Sequence, residues 1–146
     1  MTRQTLGHRL FRWGSLPAGV ANRMRGEGLS FAQEGIPATL TLRGYRAPGR
    51  AIGWKRQLGS AAVAVSRERI VVSIYRRPIV ELPLDDPRLL KISWRSTHRG
   101  LEIAFRAQDL DPERAGRVNL LLRTERSQEV LDWLAALRVP LSKQGG

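Results

Sequence analysis

The chain has 146 residues, 42% of them apolar, and its 25 Lys and Arg residues against 13 Asp and Glu residues give a net charge of +12. This length suits one domain with its own core, and the apolar content argues against a disordered chain. The lack of cysteine excludes disulfides, thiolate zinc sites and a cysteine nucleophile. No apolar run approaches the roughly 20 residues of a membrane-spanning helix, and the N-terminus lacks a secretory signal, so we expect a cytoplasmic protein.

Residues 1–35 are predicted to form a basic helical arm. Apolar side chains recur there at helical spacing, Gly26 ends the second of two short helices, and a loop follows from Gly26 to Gly35. The arm either lies on a membrane surface or packs on the domain or on a second copy. We favour packing, because two short helices make a weak membrane anchor. The side chains that would insert or pack are Leu6, Leu10, Phe11 and Trp13.

Residues 36–141 form the predicted main domain, in which apolar and polar residues alternate in short runs typical of β-strands. Predicted strands cover 38–46, 51–58, 61–66, 69–76, 79–84, 89–95, 100–106 and 117–123. Turns are predicted at Pro48-Gly49, Gly59-Ser60 and Arg67-Glu68. Within the second strand, Ile52, Trp54 and Leu58 are expected to share the buried face.

The last predicted element is an amphipathic helix that begins at Thr124 or Ser127 and ends before Pro140, and residues 142–146 form a tail. Consecutive short strands favour an antiparallel meander. The predicted fold is therefore mainly β with a C-terminal helix: a strongly bent antiparallel barrel of about seven strands whose mouth is capped by this helix. The capping side chains are Trp133, Leu134 and Leu137.

The positive charge is concentrated in residues 37–84, which carry nine Lys or Arg residues and two acids. Such a field attracts phosphates, and arginine suits bidentate phosphate contacts, although an arginine bias of the whole genome would look the same. The first hairpin is the best candidate for binding an anion. Its candidate residues are Arg43, Arg46, Arg50, Lys55 and Arg56, and a possible extension comprises Arg67, Arg69, Arg76 and Arg77.

The sequence offers no arrangement that is typical of an active site or a metal site. His8 and His98 are far apart in the chain, and the paired carboxylates at Asp85-Asp86 and around Asp111 stand in ordinary turn sequences. There is no glycine-rich phosphate loop, nucleophile elbow or zinc motif. We therefore expect no enzymatic activity, no metal and no cofactor.

Two segments resemble bacterial pleckstrin-homology-like and GRAM-like domains. The run Val65–Val72 and the segment Ile79–Asp86 are similar to a strand, charged turn, strand and Ile-Pro-Leu-Asp-Asp-like stretch that recur there, and the helix around Trp133 resembles their capping helix. The resemblance covers about residues 37–139. It implies a curved seven-stranded barrel with a binding or scaffolding role, in which basic residues of the first two strands hold phosphates. The lipid-binding members of the family have a basic residue, a spacer and then arginine on the second strand, whereas Lys55 and Arg56 are adjacent. Adjacent strand residues point to opposite faces, so only one of the two can face a bound phosphate.

The sequence thus predicts a non-catalytic module that recognises an acidic partner through its first hairpin. This partner is an anionic lipid on the inner face of the membrane or an acidic protein surface. One alternative is a scaffold protein that forms homo-oligomers through the arm or a sheet edge. Another is nucleic-acid binding, with Tyr45, Trp54 and Tyr75 stacking on bases if they are exposed. This last alternative ranks lower, because the alternation buries Trp54.

Overall fold

The computed structural model describes residues 24–26, 28–75 and 77–136. Within them, seven strands form one antiparallel sheet: β1 (Leu29–Ala47), β2 (Arg50–Ser66), β3 (Arg69–Ile74), β4 (Arg77–Pro83), β5 (Ser93–Thr97), β6 (Gly100–Arg106) and β7 (Ala115–Leu122). The helical elements are a 3-10 helix (Pro87–Lys91), α1 (Ala107–Leu110) and α2 (Ser127–Ala136). No helix in this part of the chain is long and apolar enough to cross a membrane.

The strands follow the order β4-β3-β2-β1-β7-β6-β5, so the first and last strands meet in the middle of the sheet. The strand β1 pairs with β2 along most of its length and with β7 from Ala38 to Arg46. The helix α2 contacts β1, β2, β5 and β6. In a flat sheet β2 and β5 would lie roughly 19 Å apart, farther than a helix about 10 Å wide reaches across. The sheet is therefore strongly bent around one core, although it is not closed, which confirms the predicted fold class.

The C-terminal helix covers one end of this core. Val130, Leu131 and Leu134 of α2 are buried, and Leu134 is completely inaccessible to solvent. Trp133 is only half-buried at the margin of the core, and Leu137 lies outside the described residues. Of the predicted capping residues, Leu134 is thus the one that is buried in the core.

Polar contacts attach the start of α2 to the sheet. The hydroxyl groups of Ser127 and Ser96 are 2.8 Å apart, and the Arg126 guanidinium lies 4.5 Å from the centre of the Phe31 ring. Arg126 also donates hydrogen bonds to Glu129, which hold the pKa of that carboxyl below its usual value. The helix is therefore fixed to β1 and β5.

The predicted turn at Gly59-Ser60 is wrong, because β2 continues through it as a single strand. A Cβ atom at Gly59 would stand 2.9 Å from the Tyr75 ring, so glycine is needed there for a close approach and not for a turn. The turn predicted at Arg67-Glu68 is present. The Ser66 hydroxyl stabilises it by accepting hydrogen bonds from the backbone N–H groups of Glu68 and Arg69.

Two element boundaries also differ from the sequence prediction. The expected loop Gly26–Gly35 is mostly strand, because β1 begins at Leu29 and a bulge between Gln33 and Ile36 hides its alternation. The expected strand 89–95 starts as the 3-10 helix, which Asp86 caps by accepting a hydrogen bond from the Arg88 N–H group. Proline at the first position of this helix favours the helical geometry.

A second, smaller apolar cluster lies on the outer side of the sheet. It contains Met24, Ala32, Ala62, Ala64 and Val71. Ala62 and Ala64 alternate with side chains of the main core, so this cluster covers the opposite face. Met24, at the end of the predicted arm, is thus packed on the sheet. The arm residues Leu6, Leu10, Phe11 and Trp13 lie outside the described residues.

Candidate anion-binding site

The bent sheet leaves a cavity of about 820 Å³, here called the cup, at the end away from α2. Just before the helix, Thr124 donates a hydrogen bond to the Gln33 side chain on β1, whereas the cup lies beside Leu42 and Tyr45, further along the strand. Its wall comes from β1 and β2, from the β3–β4 connection, and from the segment β6–α1–β7. Three chain connections therefore surround its opening.

The floor of the cup is apolar because inward positions of neighbouring strands are in register. Leu42 pairs with Val118 on β7, and Val118 pairs with Phe105 on β6. All three side chains are buried and line the cup. Lys55 pairs with Leu42 on the other side, so its side chain joins the same inward row. The register thus places one ammonium group directly beside an apolar surface.

Cations predominate at the rim. Arg50, Lys55 and Arg77 line the cup, and none of them forms an ion pair with another described residue. Arg114 is the fourth cation, but it is held 3.3 Å from Asp111 and donates a hydrogen bond of 2.8 Å to the Tyr45 hydroxyl. The rim therefore carries three uncompensated positive charges and one that is fixed in place.

Arg88 braces the rim from outside the cup. Its guanidinium donates to both carboxylate oxygens of Asp86, at 3.0 and 2.7 Å, and to the Leu110 carbonyl at 2.9 Å. These contacts join the 3-10 helix to the end of α1. The hydrogen bonds from Arg88 hold the pKa of Asp86 below its usual value. The carboxylate is thus charged at neutral pH and anchors this side of the opening.

The predicted anion-binding residues do not form one site. Lys55 faces the cup while Arg56 lies on the outer face, which agrees with the expectation that only one of these neighbours points inward. Arg50 and Arg77 also line the cup. Arg43 and Arg46 are exposed and do not.

The rest of the predicted extension lies elsewhere. Arg67 and Arg69 are at the far end of β3, where the Arg69 guanidinium is 4.0 Å from Glu81. Arg76 lies outside the described residues. Arg114 was missed, because the hairpin pattern gives no signal for a partner about 60 residues later in the chain.

The outer face carries a second basic surface that the sequence pattern did not predict. Arg43 pairs with Arg117 on β7, and Arg117 pairs with Arg106 on β6, so three arginines stand side by side across three strands. We call these three the arginine row. Trp54 pairs with Arg43 on the other side and is 60% exposed. One aromatic ring thus extends the row at its end.

The expectation that Trp54 and Leu58 are buried is wrong, since they are 60% and 69% exposed. Only Ile52 packs against the core. The strand β1 bulges against β7 between Arg43 and Arg46, and Gly44 has a φ of 57°. The alternation of inward and outward side chains on β1 therefore shifts by one residue after Arg43. On β2 the corresponding shift falls between Ile52, which points inward, and Trp54, which points outward. Alternation read from the sequence cannot follow such a break.

No group of three or more His, Cys, Asp or Glu side chains among the described residues is placed to hold a metal ion. His98 is exposed in the turn between β5 and β6, and His8 lies outside the described residues. Comparison of the chain with models of known protein families and with curated proteins finds no match. The resemblance to pleckstrin-homology-like domains therefore stays a prediction.

Proposed function

We propose that the chain is a non-catalytic, pleckstrin-homology-like binding module that holds the anionic headgroup of a membrane lipid in the cup. The observation that carries this proposal is the combination of three cations, Arg50, Lys55 and Arg77, with an apolar floor. The bent sheet and its C-terminal helix are the architecture that the resemblance implies.

The composition of the cup favours an anion that is attached to an apolar body. A small polar anion would contact the cations but leave the apolar floor of the cup exposed to water. A lipid places its phosphate at the rim and its less polar part against Leu42 and Phe105. Arginine contributes bidentate contacts to the phosphate oxygens, and Lys55 contributes a compact charge. An acidic protein surface is the other source of anions, and binding of acidic peptides tests it.

Vesicle sedimentation with and without anionic lipid tests the proposal. Each basic residue close to an anionic surface contributes about 1 kcal/mol, so Lys55→Gln with Arg77→Gln should weaken binding about 30-fold. The matched control is Arg67→Gln with Arg123→Gln, which removes the same charge from exposed positions outside the cup. We expect the control to lose much less affinity for the anionic vesicles. Binding of the wild-type protein should weaken as the salt concentration rises.

Two outcomes would contradict the lipid proposal. Binding that ignores anionic lipid and salt would exclude the headgroup, and equal losses in both double variants would mean that only the total charge matters. Binding of acidic peptides, but not of vesicles, with the same dependence on Lys55 and Arg77 would instead favour the protein partner.

A scaffold role is the second candidate, because β2 has a free edge. Over Arg50–Gln57 this strand pairs with β1 alone within the described part of the chain, since pairing with β3 starts at Ala61 and Tyr75 donates hydrogen bonds to the Ser60 and Leu58 carbonyls. An open edge of this length is a template for pairing with a second copy. Light scattering of the full chain, and of the chain without residues 1–23, tests this role. A monomer at high protein concentration would exclude it.

A further inference from the structure

The arginine row is costly to the fold as it stands. Neighbouring strands are about 4.8 Å apart, and like charges directly opposite each other destabilise a sheet. Arg106 is neutralised by Asp109 at 3.1 Å, but Arg43 and Arg117 form no ion pair with any residue that the structure describes. Nothing in the packing requires cations at these exposed positions. Arg43 and Arg117 are therefore open to an anion that is not part of the chain.

The surface beside the row adds an aromatic ring and polar groups. Trp54 lies at the end of the row and is 60% exposed, so most of the residue is accessible to a ligand. A groove of about 180 Å³ follows along the same face, lined in part by Thr39, Arg56 and Asn119. The Thr39 hydroxyl is buried in it without a hydrogen-bond partner among the described residues. Polar hydrogen-bonding groups thus continue beyond the row.

We infer that this outer face binds single-stranded nucleic acid, with the arginine row on the phosphates and Trp54 stacked on a base. Positive charge that follows a backbone, combined with an aromatic side chain, is the arrangement by which proteins hold single strands without reading their sequence. A duplex keeps its bases stacked inside and offers Trp54 no partner. A bilayer would require several apolar side chains around the ring, whereas this face adds only Leu58 to Trp54 as a large exposed apolar side chain of β2. Beside them lie Arg43 and Arg117, the two arginines of the row without an ion pair among the described residues.

This site is separate from the cup. Lys55 and Arg56 are adjacent in the chain but face opposite sides of the sheet, so variants can remove one surface without the other. The inference does not rest on the proposed lipid function, and either can fail while the other holds.

Fluorescence anisotropy with a labelled oligothymidylate of about 12 nucleotides, in about 50 mM salt, tests the inference. Trp54→Ala should weaken binding at least about fivefold, whereas Trp54→Phe should retain most of it. Arg117→Ala should weaken binding and reduce the slope of log affinity against log salt by about 0.7, which is the loss of one phosphate contact on a single strand. All these positions are exposed, and thermal melting verifies that the variants fold.

Two controls make the result specific. Arg67→Ala removes one exposed charge at the far end of β3 and should leave both affinity and salt slope close to the wild type. Lys55→Gln with Arg77→Gln empties the cup of two cations and should change oligonucleotide binding less than Arg117→Ala does.

The inference is overturned if the wild-type protein does not bind the oligonucleotide at low salt. It is also overturned if Trp54→Ala and Arg117→Ala bind the oligonucleotide like the wild type. The same holds if Arg67→Ala loses as much affinity for the oligonucleotide as Arg117→Ala. Vesicle binding that depends on Trp54, without oligonucleotide binding, would make the outer face a membrane surface instead.

Discussion

Single residues in this protein take their roles from the side of the sheet on which they lie. Lys55 is held beside Leu42 at the edge of the cup, whereas its neighbour Arg56 lies on the outer face with Thr41. The same alternation separates Val118, in the floor of the cup, from Arg117 in the arginine row. A basic stretch of sequence therefore serves two surfaces, and the charge on each is smaller than the composition implies.

The pairing of Asp86 with Arg88 makes a prediction about pH. Arg88 lowers the pKa of Asp86 in the folded protein, so this carboxylate stabilises the fold above its ordinary titration range, and the contribution disappears as the pH falls through the folded pKa. Asp86→Asn keeps a capping side chain but removes the charge. We expect the melting temperature of this variant to lie below that of the wild type at pH 7 and to approach it as the pH falls below the ordinary titration range of an aspartate.

Asp85→Asn is the matched control for this measurement. Asp85 is exposed and forms no ion pair in the described part of the chain, so its replacement should change the melting temperature little at either pH. A difference between wild type and Asp86→Asn that stays constant from neutral to acid pH would contradict the role of the charge.

At the level of elements, the bend and the cap decide where the cup can be. The helix α2 closes one end of the core, so the apolar inward residues at the other end remain accessible to a ligand. The connections β1–β2, β3–β4 and β6–β7 all reach this open end. Antiparallel pairing thus brings cations from distant parts of the chain to one opening.

The cap gives a prediction about stability. Leu134 is completely buried between α2 and the sheet, so Leu134→Ala should reduce the free energy of unfolding by about 2–5 kcal/mol, through lost burial and a remaining cavity. Leu90→Ala is the control, because Leu90 is 62% exposed and should cost under about 0.5 kcal/mol. Urea unfolding measures both. Similar losses in the two variants would mean that α2 does not seal the core.

Alternation in the sequence was enough to predict most strands and the capping helix. It failed where a strand departs from a period of two, as at the bulge beside Gly44, which exposes Trp54. It also failed at Gly59, where glycine signals a close approach of Tyr75 and not a turn. The register between β1 and β7 joins residues at least 69 positions apart, so neither the arginine row nor the contribution of Arg114 to the cup could be predicted.

For the whole molecule, the basic residues of the described strands are divided between the two sides of one bent sheet. The cup combines cations with an apolar floor, and the outer face combines arginines with one exposed ring. Long-range attraction brings any polyanion to such a protein, so affinity alone does not identify a ligand. The location of binding on the molecule is what separates the two proposals.

An amide NMR titration of the full chain with a soluble short-chain anionic phospholipid therefore tests the central claim most directly. We predict that the signals of Lys55, Arg77 and Arg114 shift, that those of Arg43 and Arg117 stay in place, and that a zwitterionic lipid of equal chain length causes much smaller shifts. Shifts that are confined to the outer face, or that are equal for both lipids, would contradict the proposal that the cup binds an anionic headgroup.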